Sequence, residues 1–335
     1  MGNTNNNAYL KFEKQTVLFL AFTVSAFALS LSFPLAWDFP AQYFQISHSV
    51  IETIGIVLVT LIFIVAWLPL QEVRQNRSTF LSCAFLGIGC MEFAHLITFD
   101  DTSSEALNSS HSLSVEFLRA AQGFVAIGLL LVAFCPAKPI SKSAASYALL
   151  ATILLSALIA VLLPQLAFET PMASAPTMGI NNAFTLYSIV IAGLYGIAGI
   201  SIWRRSQKTL QKSSIGLYTA CALLAMSALL FNSDTNANEF TNFAGHTYKL
   251  FAYSFLFYAL ALSNVKEPFN EIQTLELRYQ AILNALPDLV FEISNERQIL
   301  HYHSGNNQKS LIADQKFYIG KRFDSFLSKE ATQAC

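Results

Sequence analysis

Residues 91–100 read MEFAHLITFD, and they close a run, FLSCAFLGIGCMEFAHLITF over 80–99, that is otherwise apolar. Twenty residues at 1.5 Å rise cover about 30 Å, the thickness of a bilayer's hydrocarbon layer. An ionised group at that depth costs roughly 2.5–3.5 kcal/mol, so Glu92 and His95 must face protein or water rather than lipid. Their i,i+3 spacing puts them on one helix face. The stretch therefore predicts a membrane helix with a polar stripe near one end only.

The whole chain follows the same pattern. It has 335 residues, 54% of them hydrophobic and 12% charged; soluble domains carry about 25% charged residues. The apolar excess lies between about 15 and 263, and the last seventy residues read as soluble. A net charge of −1 offers no basic surface for nucleic acid. The cysteines (Cys83, Cys90, Cys135, Cys221 and Cys335) form no CxxC and are expected as free thiols. Lys11 and Lys14 precede an apolar run too long for a cleaved signal, so that run is expected as the first span.

Eight spans are predicted, at about 16–36, 49–69, 79–99, 115–135, 145–164, 183–203, 215–232 and 244–263. Arg74 and Arg77 follow the second, Lys138 and Lys142 the fourth, and Arg204, Arg205, Lys208 and Lys212 the sixth, while the alternate loops hold no Lys or Arg. The positive-inside rule puts both termini in the cytoplasm of an inner membrane.

Ionisable residues gather on four spans: His48 and Glu52 on the second, Glu92 and His95 on the third, Glu116 and Arg119 on the fourth, His246 and Lys249 on the eighth. Each pair is spaced i,i+3 or i,i+4, and all lie within the outer 10–12 Å or so of the layer. They are expected to line a polar cavity open to the outside, holding an unidentified small ligand or ion. Glu52, Glu92, His95 and His246, with His48, are candidate metal ligands, since helix-borne carboxylate and histidine pairs build metal sites in bundles. An anionic ligand held by Arg119 and Lys249 is an equal alternative, and no cofactor is specified.

Several stretches resemble the membrane-associated sensor domain of the third class: LIFIVAWLPL, GCMEFAHLITF, EFLRAAQGF and NFAGHTYKLFAYSFLFYAL, over about 45–265. The resemblance implies a bacterial sensory input module and makes His95, Arg119, His246 and Lys249 its notable positions. It names no ligand.

Beyond the last span, Pro268 is expected to break the helix. Ile272, Leu275, Tyr279, Ile282 and Leu286 follow 3,4,3,4 spacing. This is an a/d seam suited to a parallel homodimer, or an amphipathic helix docked on its own domain. LVFEIS, NE and RQILHYHS read as strand, two-residue turn and strand, with His301 and His303 sharing a strand face. The stretches RYQAILNALPDLVFEISNERQILHYHSG and IGKRFDSFLSKEAT resemble the first half of a PAS domain, so a fragment or truncated product is expected.

The fold expected is an all-α polytopic membrane bundle of eight transmembrane helices, then a helical linker and a partial α+β PAS segment. Its parts are a cytoplasmic tail 1–14, a sensor domain 15–264, a signalling helix 265–286 and an incomplete PAS domain 287–335. Relatives usually carry a diguanylate cyclase (cyclic di-GMP signalling) or a two-component histidine kinase after the PAS domain. No such catalytic motif can be read here, and whether the chain is an enzyme is left open. A small-solute or ion transporter is the alternative. An enzyme using Glu92 and His95 as acid and base lacks a nucleophile.

Overall fold

The computed structural model describes residues 2–32, 41–68, 75–99, 107–169, 183–209, 212–231, 240–285, 289–304 and 319–326. Eight long helices account for most of them: α1 (Gly2–Ser32), α2 (Ala41–Trp67), α3 (Asn76–Thr98), α4 (Leu107–Phe134), α5 (Lys142–Glu169), α6 (Ala183–Thr209), α7 (Lys212–Leu230) and α8 (Phe240–Ala261). Each overlaps one predicted span. α1 begins well before its apolar run, because helical geometry continues into polar sequence that a hydropathy reading ignores. α5 passes through Pro164, which membrane helices tolerate when neighbours satisfy the freed carbonyl.

Among the described residues, seven helices, α1 to α7, are long and apolar enough to cross a membrane. α8 matches them in length, but its His246, Lys249 and tyrosines lower its hydropathy. Three of them turn inward: His246, Lys249 and Tyr253 are buried, as are Ala252, Leu256 and Ala259.

The helices of the membrane unit pack as a closed ring in the order α2, α3, α4, α6, α7, α8 and back to α2. α1 lies against α7, and α5 lies against α3 and α4. All six ring helices contribute to one core, in which Ile62, Phe85, Leu129, Tyr195, Leu223 and Leu256 are buried. The outer faces are the reverse. Leu150, Leu154, Leu158 and Val161 of α5 are exposed, as are Leu18 and Phe22 of α1. So much exposed apolar surface is far beyond what a water-soluble monomer tolerates and is what a lipid-facing helix presents. The chain is a membrane protein.

Lipid supplies no hydrophobic drive between helices, so close packing and interhelical hydrogen bonds must hold the ring. Gly128 of α4 shows the first: a Cβ there would lie 2.5 Å from the Ala84 Cβ of α3. The second recurs around the ring. Tyr187 and Tyr195 of α6 donate to the Arg119 and Gln122 carbonyls of α4 at 2.7 and 2.9 Å. Ser227 of α7 donates to the Gly245 carbonyl of α8 at 2.8 Å. Tyr248 of α8 donates to the Thr23 carbonyl of α1 at 2.7 Å.

One end of the ring is stapled by basic side chains. Arg77, at the start of α3, donates to the Cys135 carbonyl at 2.7 Å. Arg205, near the end of α6, reaches the Ala133 and Val132 carbonyls at 3.2 and 3.3 Å. These carbonyls end α4 with no intrahelical partner and carry its negative dipole end, which cations complement. Asn76 adds bonds to Pro136 and Lys138. At the ends of α2 and α8, Asn264 Nδ2 donates to the Val65 carbonyl at 3.2 Å.

Pro268 does not break the chain's helical course. α8 changes to a π-helical turn at Leu262–Lys266, and α9 (Glu267–Ala285) starts at once with Pro268 in its first turn. Proline's fixed φ suits the first turn of a helix. Residues from Glu267 onward form a separate compact unit. In α9, Ile272, Leu275, Tyr279 and Ile282 are all exposed; Leu286, last of the predicted seam, lies outside the described residues.

Strands β1 (Leu289–Ile293) and β2 (Ile299–Ser304) pair antiparallel, with His303 opposite Val290 and His301 opposite Glu292. The predicted two-residue turn is longer. Ser294 and Gln298 close it, with Arg297 at φ 64°. The Ser294 hydroxyl accepts from the Glu296 and Gln298 amides at 3.2 Å each. A serine side chain that mimics a backbone turn is a weaker signal than an Asn-Gly pair, which is why the turn was misread. A 3₁₀ turn follows at Phe323–Phe326.

Candidate functional site

Three ring helices supply the polar cluster, and helical periodicity sorts it into layers. α2 carries Phe44, His48 and Glu52, each one turn deeper than the last. α3 runs the other way, so Phe99, His95 and Glu92 descend in the same direction. α8 carries His246, Lys249 and Tyr253. The three histidines share one level, and Glu52, Glu92 and Lys249 the next.

The lower level is an ion-pair network. Lys249 Nζ lies 2.7 and 3.0 Å from the two oxygens of Glu52 and 3.3 Å from Glu92 Oε1. Tyr253 donates its hydroxyl proton to Glu92 Oε1 at 2.7 Å. The second oxygen of Glu92, Oε2, has no hydrogen-bond partner among the described residues.

The upper level is a triangle of imidazoles. Ring centroids are 4.7 Å apart for His48 and His246, 5.5 Å for His48 and His95, and 6.0 Å for His95 and His246. His95 Nδ1 lies 2.8 Å from the Ser114 carbonyl of α4, and the Ser114 hydroxyl donates to the His95 carbonyl at 3.1 Å. His246 Nδ1 touches Glu52 Oε1, off the line of a hydrogen bond. Neither nitrogen of His48 has a hydrogen-bond partner among the described residues, nor has His95 Nε2.

Aromatic rings cover the triangle. Phe99 stacks on His48 at 4.1 Å, Phe44 at 5.7 Å, and Phe231 meets His246 edge-on at 4.7 Å. Phe231 can come so near because residue 245 is glycine: a Cβ there would lie 2.8 Å from the phenylalanine ring. This gives the Gly245–His246 pair of α8 a physical reason.

Six of the eight site residues chosen from sequence thus meet: His48, Glu52, Glu92, His95, His246 and Lys249. Glu116 and Arg119 do not join them in the recorded contacts. They pair with each other along α4, with side chains 34% and 21% exposed. The six are 0–4% exposed, so the cavity expected to open outward is instead a packed cluster. Opposite charges on three helices satisfy one another directly and leave little room for solvent. The nearby void, lined by Glu92, Gln122, Tyr195, Ser227, Lys249 and Tyr253, offers ≈ 10 Å³ to a water centre, room for about one water.

One ligating atom from each of His48, Glu52, His95 and His246 lies within 4.8 Å of the others. Glu92, a candidate ligand from sequence, is not among them: Glu52 on the same level reaches His246, whereas Glu92 faces Lys249 and Tyr253. Sequence reasoning missed Tyr253 and Ser114. The first was findable, since His246, Lys249 and Tyr253 step by three and four along one face. The second was not, for a lone serine near the start of α4 gives no sign that its carbonyl and hydroxyl both meet His95.

Residues 39–268 match the MASE3 family, described as a membrane-associated sensor domain. The match covers more than half of the 335 residues. The chain belongs to this family. The MASE3 region takes in α2 to α8, hence the whole ring and the whole cluster, and leaves α1 outside. No curated protein and no solved structure matches the chain.

Proposed function

We propose that this MASE3 protein is the sensory input module of an inner-membrane signalling protein, with the α2–α3–α8 cluster as the point where the signal acts. The observation carrying this reading is Lys249, an α8 ammonium held between carboxylates of α2 and α3. Anything that changes the charge of Glu52 or Glu92 changes which one Lys249 prefers, and so biases the placement of α8. A signal shifts such an equilibrium only by its differential affinity for the two arrangements. α8 is also the helix whose π turn leads into α9, and π turns recur at functional positions in helices.

The remaining parts follow in the same reading. α8 is the eighth span, and the cluster faces the periplasm. α9 lays its exposed Ile272, Leu275, Tyr279 and Ile282 against a second copy. The β1–β2 hairpin opens a PAS domain that feeds a cyclase or kinase output. Transport fits less well, since the core below the cluster is filled by Ile62, Phe85, Leu129 and Leu256.

In a version bearing its output module, Glu52→Gln, Glu92→Gln and His95→Ala should each change signalling several-fold while the protein still inserts. Output equal to wild type in all three would defeat the site assignment. Orientation has its own check: with Asn108→Cys and Gln207→Cys placed singly, a membrane-impermeant thiol reagent should label position 108 from outside and position 207 only after lysis. The reverse pattern would invert the topology.

A further inference from the structure

The triangle of imidazoles above Glu52 is more than an ion-pair network requires. Lys249 already satisfies Glu52 with two contacts at 2.7 and 3.0 Å, yet three histidines are buried against it. Burying an imidazole nitrogen without a partner costs free energy, and here His48 bears that cost at both nitrogens and His95 at Nε2. His95 also has the orientation of a ligating histidine. Its Nδ1 lies 2.8 Å from both the carbonyl and the hydroxyl oxygen of Ser114; with Nδ1–H donated to the carbonyl, Nε2 is left as a lone-pair donor.

We infer that His48, His95, His246 and Glu52 bind a divalent transition-metal ion, and that this ion is the ligand of the sensory site. The inference rests on the sensory reading only in its second half. Three imidazoles and one carboxylate suit zinc, copper, nickel or iron rather than magnesium or calcium, which prefer all-oxygen shells. A four-coordinate ion with bonds of about 2.0–2.1 Å needs ligands about 3.4 Å apart. The present atoms are within 4.8 Å, so side-chain adjustments of about 1 Å complete the shell.

Charge points the same way. Two buried carboxylates face one buried ammonium, a carboxylate-rich setting that favours a cation over an anion. Binding also has a built-in readout. A metal that takes an oxygen of Glu52 weakens its hold on Lys249, and Glu92 Oε2 stands ready to accept the ammonium.

The test uses the full chain, purified in nanodiscs with a tag that contains no histidine. Elemental analysis should find about one transition-metal ion per chain. After chelation, added Co2+ should produce the visible bands of tetrahedral coordination. His48→Ala and Glu52→Gln should weaken Co2+ binding by about tenfold or more, and Glu116→Gln should leave it unchanged. A folded, monodisperse wild type that holds no metal and gives no Co2+ bands overturns the inference, as do ligand variants that bind Co2+ like wild type. Because the Co2+ spectrum of wild type needs no variant, misfolding of a mutant cannot hide the answer. Metal bound at full occupancy with signalling unaffected in the variants would keep the site and remove its sensory role. Altered signalling without metal would do the opposite.

Discussion

Lys249→Met should be the most damaging single change in the cluster, lowering the stability of the membrane bundle by about 3–5 kcal/mol. Removing one partner of a buried ion pair leaves an uncompensated charge, and that is the usual cost. Here two carboxylates would be stranded, since Lys249 contacts both Glu52 and Glu92. The companion change Glu52→Gln should recover part of the loss, because it removes one of the two stranded carboxylates. Denaturation of the two variants and their double mutant, in matched detergent, measures the coupling. A Lys249→Met protein as stable as wild type would mean that the ammonium is not the keystone described.

Gly128→Leu should be the most damaging change outside the cluster. Its Cβ alone would sit 2.5 Å from that of Ala84, well inside the usual carbon–carbon contact, so α3 and α4 must part. Overpacking of this kind costs about 1–3 kcal/mol or more. The milder Gly128→Ala should lose less, and Ala84→Gly should rescue it by restoring the space. Thermal unfolding of the four proteins reads the effect. Absence of rescue would show that some other contact sets the α3–α4 approach.

The spans were legible because twenty-residue apolar runs have few alternatives in lipid. The cluster was legible because charge is expensive there, so each of Glu52, Glu92, His95 and Lys249 announces a partner. What periodicity does not carry is which stripe faces which. Glu116 and Arg119 have the same i,i+3 signature as Glu92 and His95, yet they satisfy each other along α4. Only the ring order, with α2 between α3 and α8, decides that those three stripes converge. Pro268 was misread for a related reason. A proline announces a missing donor but not whether the helix has already restarted before it.

The arginine staples lie at the end of the ring far from the cluster. Arg77 and Arg205 fasten α3 and α6 to the last carbonyls of α4. Arg77 precedes His95 by eighteen residues on α3, about 27 Å of helix rise. A tilt of α3 about that anchor would therefore displace its histidine-bearing tip far more than its anchored foot.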